Sequence, residues 1–243
     1  PTLEERDGIK HFGINEVNVD EKYDVMEFIA TYERAKAFAK ENQKNLIIVG
    51  GTGFYVKTLK EGISQGISEE VELSASIQET HSLLSSIDKE YMKNIAYNDT
   101  YRIKKAYSIY KISGLAPSVY FKENPKVPIS SDLKIFEILW PRDELRKRIA
   151  LRSKIMLNDG LIDEVIRLEK KYSREPNAMN SIGILETLLY LDGKLTKEEL
   201  LDKISMNTAR LAKRQVTFNK GQFDESMHSN IIENLNKVIL KFF

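Results

Sequence analysis

Residues 24–59 set the strongest constraint on what this chain can fold into. Between 24 and 41, Phe28, Tyr32, Ala35 and Ala39 recur at i, i+4, i+7 and i+11, one apolar stripe of a helix. Asn42-Gln43-Lys44-Asn45 is a polar break. Leu46-Ile47-Ile48-Val49 is a continuous apolar run that reads as a strand buried on both faces. Gly50-Gly51-Thr52-Gly53 follows, and Phe54-Tyr55-Val56-Lys57-Thr58-Leu59 opens another helix. Helix, turn, buried strand, glycine turn, helix is the order of a parallel α/β sheet.

The rest of the chain fits that class with helix in excess of strand. Residues 1–64 read as part of an α/β core. Residues 65–97, rich in Ser and Glu and then helical through Leu83, Leu84 and Ile87, read as a helical insertion. Residues 98–243 return to the core and its C-terminal helices. Asn98 or Asp99 caps a basic helix over 98–113, with Ile103, Ala106, Tyr107 and Tyr110 inward, and Gly114 and Pro117 end it. Lys134 to Trp140 reads as a second strand of the sheet. Pro141 starts a long helix with Leu145, Ile149 and Met156 inward, closed by Gly160. Residues 161–172 continue as helix through Leu161, Val165, Leu168 and Tyr172.

Composition removes several classes of function. The 243 residues are 42% hydrophobic and 30% charged, right for a globular protein and wrong for a disordered one. There is no cysteine, which excludes disulfides, zinc-thiolate sites and a cysteine nucleophile, and agrees with a cytoplasmic setting. No apolar run approaches a membrane span. The net charge of +1 hides a gradient. Residues 1–97 carry 11 Lys and Arg against 17 Asp and Glu, whereas residues 98–172 carry 16 against 10. A basic middle in a near-neutral chain points to a polyanion contact in one region, or to solvated helix faces.

Three stretches could carry chemistry. In Gly50-Gly51-Thr52-Gly53 the glycines let backbone N–H groups approach an anion, Thr52 offers a hydroxyl, and a helix N-terminus stands behind. It is neither a Walker A sequence nor a full G-x-G-x-x-G, and a tight turn without ligand fits as well. Tyr101-Arg102-Ile103-Lys104-Lys105 places cations opposite an apolar face, for phosphate or for water. On the last long helix Ile204, Thr208, Leu211 and Phe218 form one stripe, with Arg210, Lys213, Arg214, Thr217 and Lys220 on the other side. Gln215 falls within the apolar stripe, so its amide either bonds a loop or lines a polar site. His11, His81 and His228 are too scattered for a metal cluster, His11 reads as locally structural beside Ile9 and Phe12, and Trp140 reads as core.

These blocks together resemble the bacterial tRNA dimethylallyltransferase (isopentenyl-tRNA transferase) family. Val49-Gly50-Gly51-Thr52-Gly53-Phe54-Tyr55 is similar to its V-G-G-T-G-hydrophobic-Y segment. Asn98-Asp99-x-x-Arg102-Ile103-x-Lys105-Ala106 resembles its N-D-x-x-R-I-x-R-A helix, and Ser113-Gly114 its T-G-K-P turn. Pro141-Arg142-x-x-Leu145-x-x-Arg148-Ile149-x-x-Arg152 follows, then Met156-x-x-x-Gly160-Leu161-x-x-Glu164-Val165, Ala178-Met179-x-x-Ile182-Gly183 and Leu211-Ala212-Lys213-Arg214-Gln215-x-Thr217. Ile9-x-His11 resembles I-P-H-H. The match runs in order from Pro1 to about Phe218.

The resemblance implies a P-loop-kinase-like, nucleotide-binding type of fold with a helical insertion that grips the anticodon arm. It implies transfer of the dimethylallyl group of dimethylallyl diphosphate to N6 of the adenosine next to the anticodon (tRNA position 37), flipped out of its stack. Mg²⁺ is the implied cofactor, with no metal ligand assigned to this chain. The expected setting is the cytoplasm, as a monomer without membrane contact. Thr52 is implied at the reactive end, with Gly50 and Gly51 beside it; Tyr101, Arg102, Ile103, Lys104 and Lys105 at the tRNA; and Lys213, Arg214, Gln215 and Thr217 at the tRNA and diphosphate. Departures are Phe218 where the family has Trp, Gly183-Ile184-Leu185-Glu186 for G-Y-K/R-E, and Glu72 where Arg is common. The family's P-loop and its D-S-x-x-I-Y segment, with the general-base Asp, lie upstream of the residue matching Pro1. The expectation is therefore an N-terminally incomplete enzyme, inactive alone. A small-molecule or nucleotide kinase of P-loop fold and a non-catalytic RNA-binding derivative are the alternatives.

Overall fold

A computed structural model describes residues 2–64, 67, 69–223, 227–229 and 232–240. The elements run α1 (Val25–Glu41), α2 (Gly53–Glu61), α3 (Ile77–Ile87), α4 (Lys89–Met92), α5 (Thr100–Ser113), α6 (Pro117–Glu123) and β1 (Phe136–Ile138). They continue with α7 (Arg142–Asn158), α8 (Leu161–Tyr172), a 3-10 turn (Asn177–Asn180), α9 (Ile184–Leu191), α10 (Lys197–Gln222), β2 (Met227–Ser229) and α11 (Ile232–Ile239). The chain forms two compact units, one of Pro1–Tyr55 with Lys134–Phe243 and one of Val56–Leu133. No helix among the described residues is long and apolar enough to cross a membrane.

In the first unit, α1 starts where Asp24 accepts a hydrogen bond from the Met26 N–H at 2.8 Å. It buries Thr31, Tyr32, Ala35 and Ala39, and Phe28 stacks on Tyr55 with ring centroids 4.9 Å apart. Gln43 takes a positive φ of 52°, and the Lys44 N–H returns to the Ala39 carbonyl, which ends the helix. The main core of this unit is Leu161, Val165, Met179, Leu188, Leu200 and Ile204. α10 begins with a capping box between Thr196 and Glu199, runs along α7 and touches α9.

The described sheet is one parallel pair, β1 with β2, in the register Phe136↔Met227, Glu137↔His228, Ile138↔Ser229. The strand expected over Lys134 to Trp140 is thus shorter than its apolar run. The strand expected at Leu46-Ile47-Ile48-Val49 does not form. Leu46 and Ile48 are half-buried, while Ile47 is 64% and Val49 90% exposed, so the segment covers something on one side only. The physical reason is the ladder: a strand exists only where neighbouring backbone pairs its N–H and C=O groups, and no described backbone pairs with this run.

The second unit has its own core of Leu84, Met92, Ile95, Ile103, Ala106 and Tyr107, to which α3, α4 and α5 all contribute. The segment 65–97 lies inside it, and the unit extends to Leu133 because the basic helix α5 completes that core rather than the other one. Asp88 caps α4 by accepting from the Tyr91 N–H at 3.0 Å, and its other oxygen accepts from the Ser118 N–H of α6 at 2.7 Å. Ser108, fully buried on α5, accepts from the Val71 N–H, and the Ser74 and Tyr107 hydroxyls bond at 2.8 Å. His81 bonds the Ile95 carbonyl at 2.9 Å, a structural role within this unit.

Candidate functional site

The glycine loop 50–53 rests directly on α10. A Cβ built on Gly51 would stand 2.2 Å from Gln215 Nε2, and one on Gly53 would stand 2.6 Å from Asn219 Oδ1 and 2.8 Å from Phe218 Cδ1. At Gly53 a side chain would press on the Phe218 ring, whereas at Gly51 it would have to displace the end of the Gln215 side chain. Gln215 and Asn219 stand one turn apart on α10, about 6 Å, and Gly51 and Gly53 face them in that order. Gly50, by contrast, meets nothing within 4 Å.

The loop leads into α2 through a tight turn. The Gly53 N–H donates to the Gly51 carbonyl at 3.1 Å, and the Tyr55 N–H to the Thr52 carbonyl at 3.0 Å. Thr52 itself is exposed, and its hydroxyl bonds no described residue. Burial, and after it the charges of Asp24 and Tyr23, push the Tyr55 hydroxyl above its ordinary value, so Tyr55 stays neutral beside the loop.

In the second half of α10, Arg210, Lys213, Arg214 and Lys220 are exposed, with Leu211 and Val216 exposed between them. Arg210, Lys213, Arg214, Thr217 and Phe218 line an open hollow of about 590 Å³. Thr217 donates its hydroxyl to the Lys213 carbonyl at 3.0 Å, which leaves its oxygen lone pairs free to accept. Arg210, Lys213, Arg214 and Lys220 make no ion pair among the described residues. Arg210 donates only to the neutral Asn207 Oδ1 at 3.3 Å. Asn207 in turn donates to Glu186 at 2.6 Å, and the other oxygen of that buried carboxylate accepts from the Gly183 N–H at 2.7 Å. Glu186 thus anchors α9 to α10 beneath the cationic face. Phe218 packs edge-on to Phe223, centroids 6.4 Å apart.

The structure therefore brings Gly51, Thr52 and Gly53 together with Gln215, Phe218 and Asn219. Gln215 packs against Gly51 with no hydrogen bond from its amide to the loop among the described residues, so neither role open from the sequence is decided. Tyr101, Arg102, Lys104 and Lys105 belong to α5 in the second unit. Tyr101 is 69% exposed and Lys104 is exposed, whereas Arg102 pairs with Asp99 and Lys105 with Glu70 at 2.9 Å. Ile103, expected to touch tRNA, is fully buried in that unit's core. It is a packing residue, because the face of α5 that carries it is the one that meets Leu84 and Met92. His11 bonds the Ile9 carbonyl at 2.9 Å, a local role, and the side chain of His228 lies outside the described residues. Trp140 is only half-buried, with the Arg148 guanidinium 3.7 Å over its ring. Sequence reasoning missed Glu137 and Asn219. The signal for Asn219 was a second carboxamide one turn beyond Gln215, on the same face.

Among the described residues no group of three or more His, Cys, Asp or Glu could hold a metal ion. The Mg²⁺ implied by the resemblance has no carboxylate cage here, and no step of the proposed chemistry passes through it.

Comparison with known proteins adds the following. A family model described as IPP transferase matches residues 1–222. A tRNA dimethylallyltransferase of Aliarcobacter butzleri (strain RM4018) is 59% identical over 243 residues, which is 100% of this chain and 83% of that protein. One of Sulfurimonas denitrificans (strain ATCC 33889 / DSM 1251) is 50% identical over 247 residues, covering 99% and 83%. Among solved structures, a eukaryotic dimethylallyltransferase crystallised acting on tRNA superposes with a TM-score of 0.78 at 26% identity, over 90% of this chain and 58% of that one. A tRNA isopentenylpyrophosphate transferase from Bacillus halodurans gives 0.66 at 28% identity, over 94% and 74%.

Proposed function

The chain belongs to the IPP transferase family, and from that membership we propose that it transfers the dimethylallyl group of dimethylallyl diphosphate to N6 of the adenosine next to the anticodon in tRNA. The N6 amine attacks C1 of the allylic group, the C1–O bond breaks, pyrophosphate leaves with the electron pair, and the amine gives up a proton to a base. Of this chain's residues, Lys213 and Arg214 hold phosphate oxygens, Arg offering the bidentate geometry. Thr52 presents its hydroxyl at the adenosine end, and Gln215 holds the loop that carries it. Tyr101, Arg102, Lys104 and Lys105 meet tRNA phosphates or an unpaired base. The protein acts in the cytoplasm, as a monomer.

One observation carries the reading: a glycine loop with an exposed hydroxyl at Thr52, seated on a helix whose Arg210, Lys213, Arg214 and Lys220 have no acidic partner among the described residues. A cationic face left unpaired within a fold is suited to an anionic ligand. The test is mass spectrometry of tRNA after incubation of the full-length protein with dimethylallyl diphosphate. Prenylated adenosine next to the anticodon is the expected product; unmodified tRNA at saturating diphosphate overturns the proposal.

A further inference from the structure

The seat of the glycine loop holds one polar atom with no role in the reaction as described. Asn219 donates from Nδ2 to Glu137 Oε1 on β1 at 2.8 Å. Its Oδ1 is closed off from solvent and finds no donor among the described residues. A carboxylate only accepts, so Glu137 fixes which end of the carboxamide it takes and turns the oxygen away from itself. That oxygen faces the loop, at the place where a side chain on Gly53 would begin. A buried carbonyl without a donor destabilises the state it stands in, and any state that supplies a donor is favoured by the difference. The loop carries the candidates. The Gly53 N–H is already bonded to Gly51, whereas the Thr52 hydroxyl, one residue away along the chain, bonds no described residue.

We propose that Asn219 is a positioning residue for the transfer. Glu137 holds its carboxamide with the oxygen toward the loop, and Thr52 donates to that oxygen when substrates are bound, which fixes the loop in its working position. The inference rests on the reading of this loop as the adenosine end of the site.

The test uses the full-length protein, dimethylallyl diphosphate and an anticodon stem-loop RNA with the target adenosine. Asn219→Leu keeps the bulk and removes both polar ends. It is expected to lower kcat about tenfold while KM for the RNA stays within about twofold, the split that marks a group acting after binding. The pair Asn219→Asp with Glu137→Gln reverses donor and acceptor across the same contact. It is expected to recover kcat to within about threefold of wild type, with Asn219→Asp alone as poor as Asn219→Leu. Amide exchange over residues 50–55 is expected to slow on adding both substrates to wild type and not to slow in Asn219→Leu. Unchanged kcat in Asn219→Leu, or a reversed pair no better than Asn219→Asp, overturns the inference. If Asn219→Leu does not fold, the reversed pair against Asn219→Asp decides alone. A wild type that leaves the RNA unmodified overturns the proposed reaction instead. The exchange experiment then judges Asn219, and equal slowing in wild type and Asn219→Leu counts against it.

Discussion

α5 and α10 both looked like cationic helices in the sequence, and their charges are held differently. On α5, Arg102 pairs with Asp99, the helix's own N-cap, and Lys105 pairs with Glu70 at 2.9 Å. Lys111 lies 5.5 Å over the Tyr107 ring. On α10, Arg210, Lys213, Arg214 and Lys220 make no ion pair among the described residues, and the first three share a hollow with Thr217 and Phe218. An exposed ion pair is worth only about 0–1 kcal/mol, so a phosphate can displace Asp99 or Glu70. It must still displace them, and the carboxylate left behind repels it. Counting cations along a sequence measures total charge. What a ligand meets is the charge left after the fold's own acids have paired.

The sharpest test of this contrast is Arg214→Ala. A hydrogen bond to a charged group contributes about 1.5–3 kcal/mol, which makes the expected loss in kcat/KM roughly 10–100-fold. Arg214→Lys should recover only part of it, because an ammonium cannot make the paired contacts of a guanidinium. Steady-state kinetics with tRNA as the varied substrate reads both. A loss no greater than that of the α5 variants would break the contrast.

Next in size is the loop that faces α10. Gly53→Ala places a methyl 2.6 Å from Asn219 Oδ1 and 2.8 Å from the Phe218 ring, neither of which yields without repacking. Gly50→Ala meets open space. Gly53→Ala should lower turnover about tenfold, as for a displacement of less than the ångström that can cost about a hundredfold. Gly50→Ala should be near wild type in turnover and melting temperature. Equal behaviour of the two would mean that the loop's contact with α10 is incidental.

A smaller effect, on stability and not on chemistry, is expected where α5's own unit is tied together. Burial pulls the Asp88 carboxyl upward, but the Ser118 N–H and hydroxyl and the Tyr91 N–H outweigh it and hold it below the usual carboxylate value. The folded state therefore favours the ionised form. Its stabilisation is present above the unfolded carboxylate range, near about pH 4, and is lost as pH falls through the lower folded value. Asp88→Ala should cost about 1–3 kcal/mol in denaturant melts and leave turnover per folded molecule unchanged. Asp88→Asn should lose Asp88's share of the acid limb of the stability profile. A turnover defect in Asp88→Ala would show that the second unit's packing reaches the chemistry.

Much of this was legible from local chemistry. Asp99 and Gly114 bound α5, and Pro141 and Gly160 bound α7, because caps act on backbone groups a few residues away. The apolar stripe of α1 closed as its spacing required, Tyr32, Ala35 and Ala39 inward. The strand at 46–49 misled because strand formation is a property of two segments, and an apolar run says nothing about its partner. The insertion's far border was hidden for a related reason. Ile103 and Tyr107 could have packed on either core, and only the partners Leu84 and Met92 decide which. In the candidate site, the glycines and cations announced themselves by type. The Gln215 and Asn219 pair did not, since an amide on an apolar stripe reads as an exception until the glycines that make room for it are placed opposite.

The least effect is expected from Arg102→Ala, and its sign has a physical argument on each side. The substitution removes one cation from tRNA's reach, which weakens binding. It also frees Asp99 of its partner, and the backbone bond from residue 102 and the Arg102 side chain together hold that carboxyl below its ordinary value. The freed carboxylate repels phosphate, but it still caps α5 by accepting from the residue-102 N–H at 3.1 Å, so the helix does not unravel. Binding should weaken about twofold, and the slope of log affinity against log salt should fall by less than the roughly 0.7–0.9 that each neutralised phosphate adds to it. Arg102→Ala combined with Asp99→Asn removes both charges while keeping a capping side chain, and should return affinity toward wild type. A filter-binding titration across salt concentrations measures all three proteins. If Arg102→Ala lowers the slope by a whole phosphate's worth and the double variant does not recover, Arg102 is released from Asp99 in the complex. The two helices would then differ only in the free protein, and α5 would bind tRNA as α10 is proposed to.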